Sequence, residues 1–257
     1  MRKGCLRLLF TMLVSMIGVN VCAYRIEVPN ADGVTIYYNY INNNTELEVT
    51  YRAKGSQSYS GTVVIPEDVA DNGETLKVTS IGLEAFSSCT NLTSVTIPNS
   101  VTNIRERAFQ DCKNITKVIL NSNAIASRQY SDHPSLSYLF GSQVTEYILG
   151  EEVSTIGDKA FKDCSNLISI TIPNSLTNIG KAAFSGCTGI TSIVIPEGVK
   201  IIENETFYGC TGLTSVSIPN SMTNIKGSAF YGCSSLTFVI IPSHVERIGD
   251  YTFQNCI

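Results

Sequence analysis

From Val78 onward, the apolar positions of the chain return every 23 residues. In the period 78–100 they are Val78, Ile81, Ala85, Phe86, Cys89, Leu92, Val95 and Ile97, set among Thr, Ser, Asn and Gly. The same register restarts at Val101, Val153, Leu176, Val199 and Met222, and a partial copy begins at Val245. A longer, divergent unit fills 124–152, and Val63-Val64-Ile65-Pro66 matches the end of a unit ahead of the first full copy. Each unit carries two spacings. Val95-Thr96-Ile97 alternates with β-branched residues and predicts a strand. Pro98 lacks an N–H and ends it, and Asn99-Ser100 is turn chemistry. Ile81, Ala85, Cys89 and Leu92 stand four, four and three apart, which predicts a short helix.

One such unit cannot fold alone. Burying a Phe, Leu, Ile or Val contributes roughly 1.5–3 kcal/mol, while ordering each residue costs about 1–2 kcal/mol. An isolated unit leaves both flanks wet. Stacked units cover one another and join their strands, so the periodicity predicts a solenoid with a parallel sheet along one side.

The order Leu92-x-x-Val95-x-Ile97 follows the leucine-rich-repeat logic. More narrowly, the unit resembles the BspA-type repeat of bacteria, Ile-Gly-x-x-Ala-Phe-x-x-Cys-x-x-Leu-x-x-Val-x-Ile-Pro. Ile156-Gly157-Asp158-Lys159-Ala160-Phe161-Lys162-Asp163-Cys164-Ser165-Asn166-Leu167 continuing to Ile172-Pro173 carries it nearly throughout. Arg105, Glu203 and Lys226 replace its Gly, Thr206 and Thr252 its Ala, and Leu120 its Pro. The resemblance implies an α/β repeat solenoid over 61–257, a right-handed coil with one parallel β-sheet and short helices. It also implies a secreted or cell-surface protein of host-associated bacteria, a class in which some members are adhesins for extracellular-matrix proteins.

Residues 24–60 lie outside the repeat. Val34-Thr35-Ile36-Tyr37-Tyr38-Asn39-Tyr40 and Leu47-Glu48-Val49-Thr50-Tyr51 alternate around Asn42-Asn43-Asn44, which predicts a β-hairpin capping the first coil. Residues 1–23 read as a signal peptide: Arg2, Lys3 and Arg7 precede an apolar run from Leu8 to Val19, and Val21-Cys22-Ala23 suits cleavage before Tyr24. A lipidated Cys22 is the rival reading, with Val21 a poor fit for it. Losing the leader removes three basic residues and deepens the net charge of −4, which argues against a nucleic-acid partner. No later run approaches membrane-spanning length.

Candidate chemistry is sparse. Cys89, Cys112, Cys164, Cys187, Cys210, Cys233 and Cys256 hold one place in every unit, on the inward stripe. Seven cannot all pair, so a reduced internal ladder is favoured over disulfides between neighbouring units, and zinc is disfavoured because no Cys-x-x-Cys spacing exists. Asn103, Asn178 and Asn224, with Asn99, Asn174 and Asn220, read as turn residues. No nucleophile elbow, His-Glu-x-x-His, phosphate loop or calcium loop occurs, so no enzyme activity and no cofactor are expected.

The surface of the sheet is therefore the candidate site. Strand parity turns Ser94 and Thr96, Lys117 and Ile119, Ser169 and Thr171, Ser192 and Val194, Ser215 and Ser217, and Phe238 and Ile240 outward. A second candidate is the extra length of the divergent unit, a loop offering Arg128, Tyr130 and His133, with Tyr138, Leu139 and Phe140 refilling the core beneath it. The function these readings favour is a protein-binding module, with a ligand from extracellular matrix or a bacterial surface. A self-associating structural protein and a glycan binder are the alternatives.

Overall fold

The computed structural model describes residues 25–130 and 135–256. The leader assigned to 1–23 therefore lies outside the described residues. The repeat solenoid read from the periodicity is the fold, and each regular coil has three sides.

The first side, called front here, carries the Leu-x-x-Val-x-Ile strands. Gly61–Val64, Leu92–Ile97, Lys117–Leu120, Glu146–Leu149 and Ser169–Thr171 form one parallel sheet, and Ser192–Val194 with Ser215–Ser217 form another. Units align residue for residue: Ser94, Lys117, Glu146 and Ser169 are successive partners, as are Thr96, Ile119, Ile148 and Thr171. The 23-step is thus a spatial register. The divergent unit keeps it because its extra residues fall outside its strand.

The second side, the back, corrects the expectation of one sheet. Glu74–Ile81 pairs with Asn103–Ile104, Thr155–Ile156 with Asn178–Ile179, and Ile201–Ile202 with Asn224–Ile225 and Arg247–Ile248, all parallel. The residues read as turn asparagines Asn103, Asn178 and Asn224 sit on these strands. After Glu74–Ile81 each of these strands has two residues, too few for an alternation to show in the sequence.

The third side corrects the helix. In 82–89 no helix forms, because Glu84 and Ser88 both take positive φ, 57° and 60°. The pair recurs as Arg107 and Asp111, Lys159 and Asp163, Ala182 and Gly186, Glu205 and Gly209, Ser228 and Gly232, and Tyr251 and Asn255. A left-handed residue costs a non-glycine roughly 1–2 kcal/mol and ends a right-handed helix. Its compensation is visible: alternate N–H groups reach the next coil, Phe161 to Ala183 O, Asp163 to Ser185 O and Phe184 to Thr206 O, each at 2.8 Å. The apolar 4-4-3 spacing does mark an inward stripe, but one carried by successive turns. Among the described residues the α-helices are Asn123–Ala126, at the start of the divergent unit, and Leu136–Phe140 within it.

The core runs the length of the coil. Phe161, Phe184, Phe207, Phe230 and Phe253 stack with centroids 5.1–5.5 Å apart and planes within 11°. In the divergent unit Phe140 and Leu136 are buried, Leu139 is half-buried and Tyr138 points to solvent. Tyr147 stands where other units have Val or Ile, edge-on to Phe140 and Phe161. Its buried hydroxyl has no hydrogen-bond partner.

Among the described residues the seven repeat cysteines are all free, and six are buried. Cys112, Cys187, Cys210, Cys233 and Cys256 each donate from Sγ to a Phe carbonyl of the preceding coil at 2.9–3.1 Å. Burial pushes the thiols of Cys112 and Cys164 up, to about 12 and about 11.

At the N-terminus, Thr35–Ile41 and Glu46–Thr50 form an antiparallel hairpin. Asn42, Asn43 and Asn44 turn it at φ of 49°, 58° and 68°, a region Asn tolerates. Ile26–Pro29 pairs with its first strand, and its second strand pairs in parallel with Glu74–Ile81. The back ladder thus begins in the hairpin.

Two measurements test this core. In residues 24–257 a thiol reagent at pH 8 should label Cys256 first and leave the six buried thiols unreacted until denaturant is added, since burial keeps the reagent from every thiol but Cys256. Tyr147→Phe should stabilise the fold by about 1 kcal/mol in urea unfolding, because it removes a buried hydroxyl that has lost its hydration without gaining a partner.

Candidate binding face

On the front, exposure changes along the coil. Ser94, flanked in register by Thr62 and Lys117, is buried, which corrects its place in the exposed strip. Thr96 and Ile119 are half-buried. Lys117 Nζ lies 3.1 Å from Glu146 Oε1, an ion pair between coils that screens the middle of the strip. Such half-exposed pairs contribute only about 0.2–1 kcal/mol, so the pair acts through register and charge neutrality more than through stability. Ser169, Thr171, Ser192, Ser215 and Ser217 are exposed, and their small hydroxyls leave the surface flat.

Apolar groups follow. Val194 is 69% exposed, Phe238 69% and Ile240 76%. Ile168, just before the Ser169 strand, is 60% exposed. A shallow cavity of about 310 Å³ lies at this end, lined by Val216, Ser217, Ile218, Asn220, Phe238, Ile240 and Pro242. Large side chains this open, clustered on one side of a fold, mark a surface suited to a partner. The sequence reading missed Glu146, Ile148 and Ile168. Glu146 and Ile148 become visible once the divergent unit's strand, Glu-Tyr-Ile-Leu, is aligned on Lys117–Leu120 and the longer step is allowed for.

The second candidate comes apart. Arg128 is exposed, but Tyr130 is buried, with its N–H on Asp158 O at 3.1 Å and its hydroxyl donating to Ile125 O at 3.0 Å. Burial raises its phenol well above the ordinary range. Tyr130 is therefore a core anchor for the divergent unit and not a surface contact. His133 lies outside the described residues. Arg128 matters structurally through its backbone: a Cβ on Gly157 would come 2.0 Å from Arg128 O. Among the described residues no group of three His, Cys, Asp or Glu is placed to hold a metal ion. No described helix is long and apolar enough to cross a membrane.

Residues 74–139 and 136–257 match the family described as BspA type Leucine rich repeat region, in six copies. That is more than half of the chain, and the chain belongs to this family. Solved structures are similar to this chain, and the first carries the same fold. A T. pallidum leucine rich repeat protein is 22% identical, with a TM-score of 0.57 over 84% of this chain and 95% of its own. A leucine rich cell surface protein from Faecalibacterium prausnitzii is 28% identical, covering 90% of this chain and 52% of its own, with a TM-score of 0.48. A leucine-rich repeat protein from Bacteroides ovatus is 25% identical over 86% of this chain and 67% of its own, with a TM-score of 0.49. No curated protein matches the sequence.

Gly157→Ala should destabilise the fold by about 1–3 kcal/mol through overpacking against Arg128 O. Arg128→Ala, which leaves that carbonyl in place, should stay within about 0.5 kcal/mol of the parent in the same denaturant titration.

Proposed function

We propose that this chain is a secreted or cell-surface repeat module that binds another protein through its front face, with Val194, Phe238 and Ile240 as apolar anchors. The observation that carries this reading is the exposure of those three side chains beside the small hydroxyls of Ser192, Ser215 and Ser217. Burying an exposed Phe or Ile contributes roughly 1.5–3 kcal/mol, so three such groups supply most of the driving force of a modest interface. The flat hydroxyl strip between them costs little to desolvate and can exchange hydrogen bonds with a partner's polar groups. Family membership supports a surface repeat module. The basic-then-apolar segment at 1–23 supports export. The finer reading, an adhesin for extracellular-matrix or bacterial-surface protein, rests on this face.

The test is capture with residues 24–257 from host extracellular matrix and from bacterial surface extracts, followed by affinity measurement on the ligand recovered. Phe238→Asp and Val194→Asp should each weaken binding by about tenfold or more, since each removes apolar burial and adds a charge that must be desolvated. Arg128→Ala should not. Parent-like affinity in both aspartate variants would refute the assignment of the front face.

A further inference from the structure

The three ladders of the coil do not close together. From Tyr130 to Gln254 the turn side is continuous. Its cross-coil bonds run Lys159 to Lys181 O, Phe161 to Ala183 O, Ala182 to Asn204 O, Phe184 to Thr206 O, Phe207 to Ala229 O and Phe230 to Thr252 O, at 2.8–3.0 Å. The front ladder opens twice. Ser169–Thr171 does not pair with Ser192–Val194, and Ser215–Ser217 has no strand partner beyond Ser192–Val194. No main-chain hydrogen bond crosses either gap: Ser215 N donates to Thr191 O, but the equivalent Ser192 N does not reach Ile168 O, nor does Phe238 N reach Thr214 O. From Val153 on the back ladder opens once, one junction further on. Lys226 N donates to Ile202 O at 2.9 Å, whereas the equivalent Glu203 N makes no bond to Ile179 O.

The openings alternate. Where the front is open, between the coils of Ser169 and Ser192, the back pairs Thr155 with Asn178. At the next junction the back is open and the front pairs Ser192 with Ser215. At the one after, the front is open again and the back pairs Ile201 with Asn224. Only the turn side is closed at all three.

We infer that the C-terminal half of the solenoid is a jointed coil, in which rigid panels fan about the hydrogen-bonded turn side and the front face changes its curvature at two seams. The turn side is suited to be the axis. It keeps its main-chain bonds, the stacked Phe rings and the Sγ–H bonds of Cys187, Cys210 and Cys233 across every joint. Because seams on opposite sides alternate, the coil bends in either sense without breaking a bond it already has. Ile168 and Val194 flank the first front seam, and Phe238 and Ile240 the second, beside the shallow cavity. The most exposed apolar groups of the front face therefore stand where the panels move.

Residue-resolved amide exchange on the full chain tests this, each residue compared with its equivalent one coil away. Ser192 should exchange at least about tenfold faster than Ser215, and Glu203 faster than Lys226 by a similar factor, as expected for main-chain groups that open locally. Equal protection within both pairs would overturn the joint. A second measurement separates bending from a merely unprotected amide. On residues 24–257 carrying Cys256→Ala, spin labels at Thr116→Cys and Thr214→Cys span the first front seam and the back seam after it, and labels at Thr116→Cys and Ile168→Cys stay within one panel. The spanning pair should give the broader distance distribution. Equally narrow distributions, even with fast exchange, would also overturn it.

Discussion

The main-chain hydrogen bond that runs from one coil to the next on the turn side is the interaction on which the rest of the structure depends. It exists because two residues in each turn segment accept a left-handed conformation, which points alternate N–H groups along the coil axis. That conformation is unfavourable for Glu84, Lys159 or Glu205 on its own account. The cost is offset where a neighbouring coil receives the bonds, as at Lys159 and Glu205. The cost is local and the gain lies between coils, so no unit folds without its neighbours. Strict spacing follows, since a residue added inside the turn segment would carry every donor past its acceptor.

Much of this was legible in the residues, and the gaps have physical causes. A periodicity reports which side chains face inward and does not report the backbone that takes them there. Ile81, Ala85, Cys89 and Leu92 are all buried, as their spacing demands, yet the end of one strand, the turns after it and the start of the next strand deliver them instead of a helix. The clue lay in Gly186, Gly209 and Gly232, which occupy a left-handed position that Ser88, Asp111 and Asp163 fill elsewhere. With non-glycines in four of the seven copies, Asn255 being the fourth, the signal was diluted. The front face was read correctly in its parity and less well in its exposure. Parity says that Ser94 points away from the core but not that its neighbours cover it. Tyr130 failed for the opposite reason. An Arg-Tyr-His segment in extra length resembles an interface loop, yet a tyrosine whose hydroxyl finds a backbone carbonyl is equally suited to anchor that loop from inside.

Charge has a narrow role in this fold. Arg105 and Lys226 occupy places where the repeat has glycine, and each finds a carboxylate, Arg105 on Glu48 at 3.5 Å and Lys226 on Glu203 at 2.8 Å. Elsewhere the glycine is needed for contact: a Cβ on Gly180 would meet Asp158 Oδ1 at 2.5 Å, and one on Gly82 would meet Glu48 at 2.9 Å. The same position is therefore satisfied in two ways, by close approach of the coils or by an ion pair reaching across them. Exposed pairs of this kind contribute little to stability, and their effect is to keep coils in register where the glycine contact is missing.

A binding face on such a scaffold inherits both its order and its freedom. The front strands hold side chains at one-coil intervals wherever they pair, so a partner meets a regular array from Gly61 to Thr171. Beyond Thr171 the array is held from behind. A ligand reaching Val194 and Phe238 would then meet two panels whose separation is set by the turn side and not by the front ladder itself. The apolar groups are dense in the part of the face that is least constrained and sparse where the sheet is continuous. That distribution lets a surface adapt its shape to a partner around a few anchors while the long paired stretch keeps the coil from collapsing. For the proposed binding role, the continuous sheet of Lys117 and Glu146 would supply one fixed geometry and the jointed end the freedom to accommodate a partner.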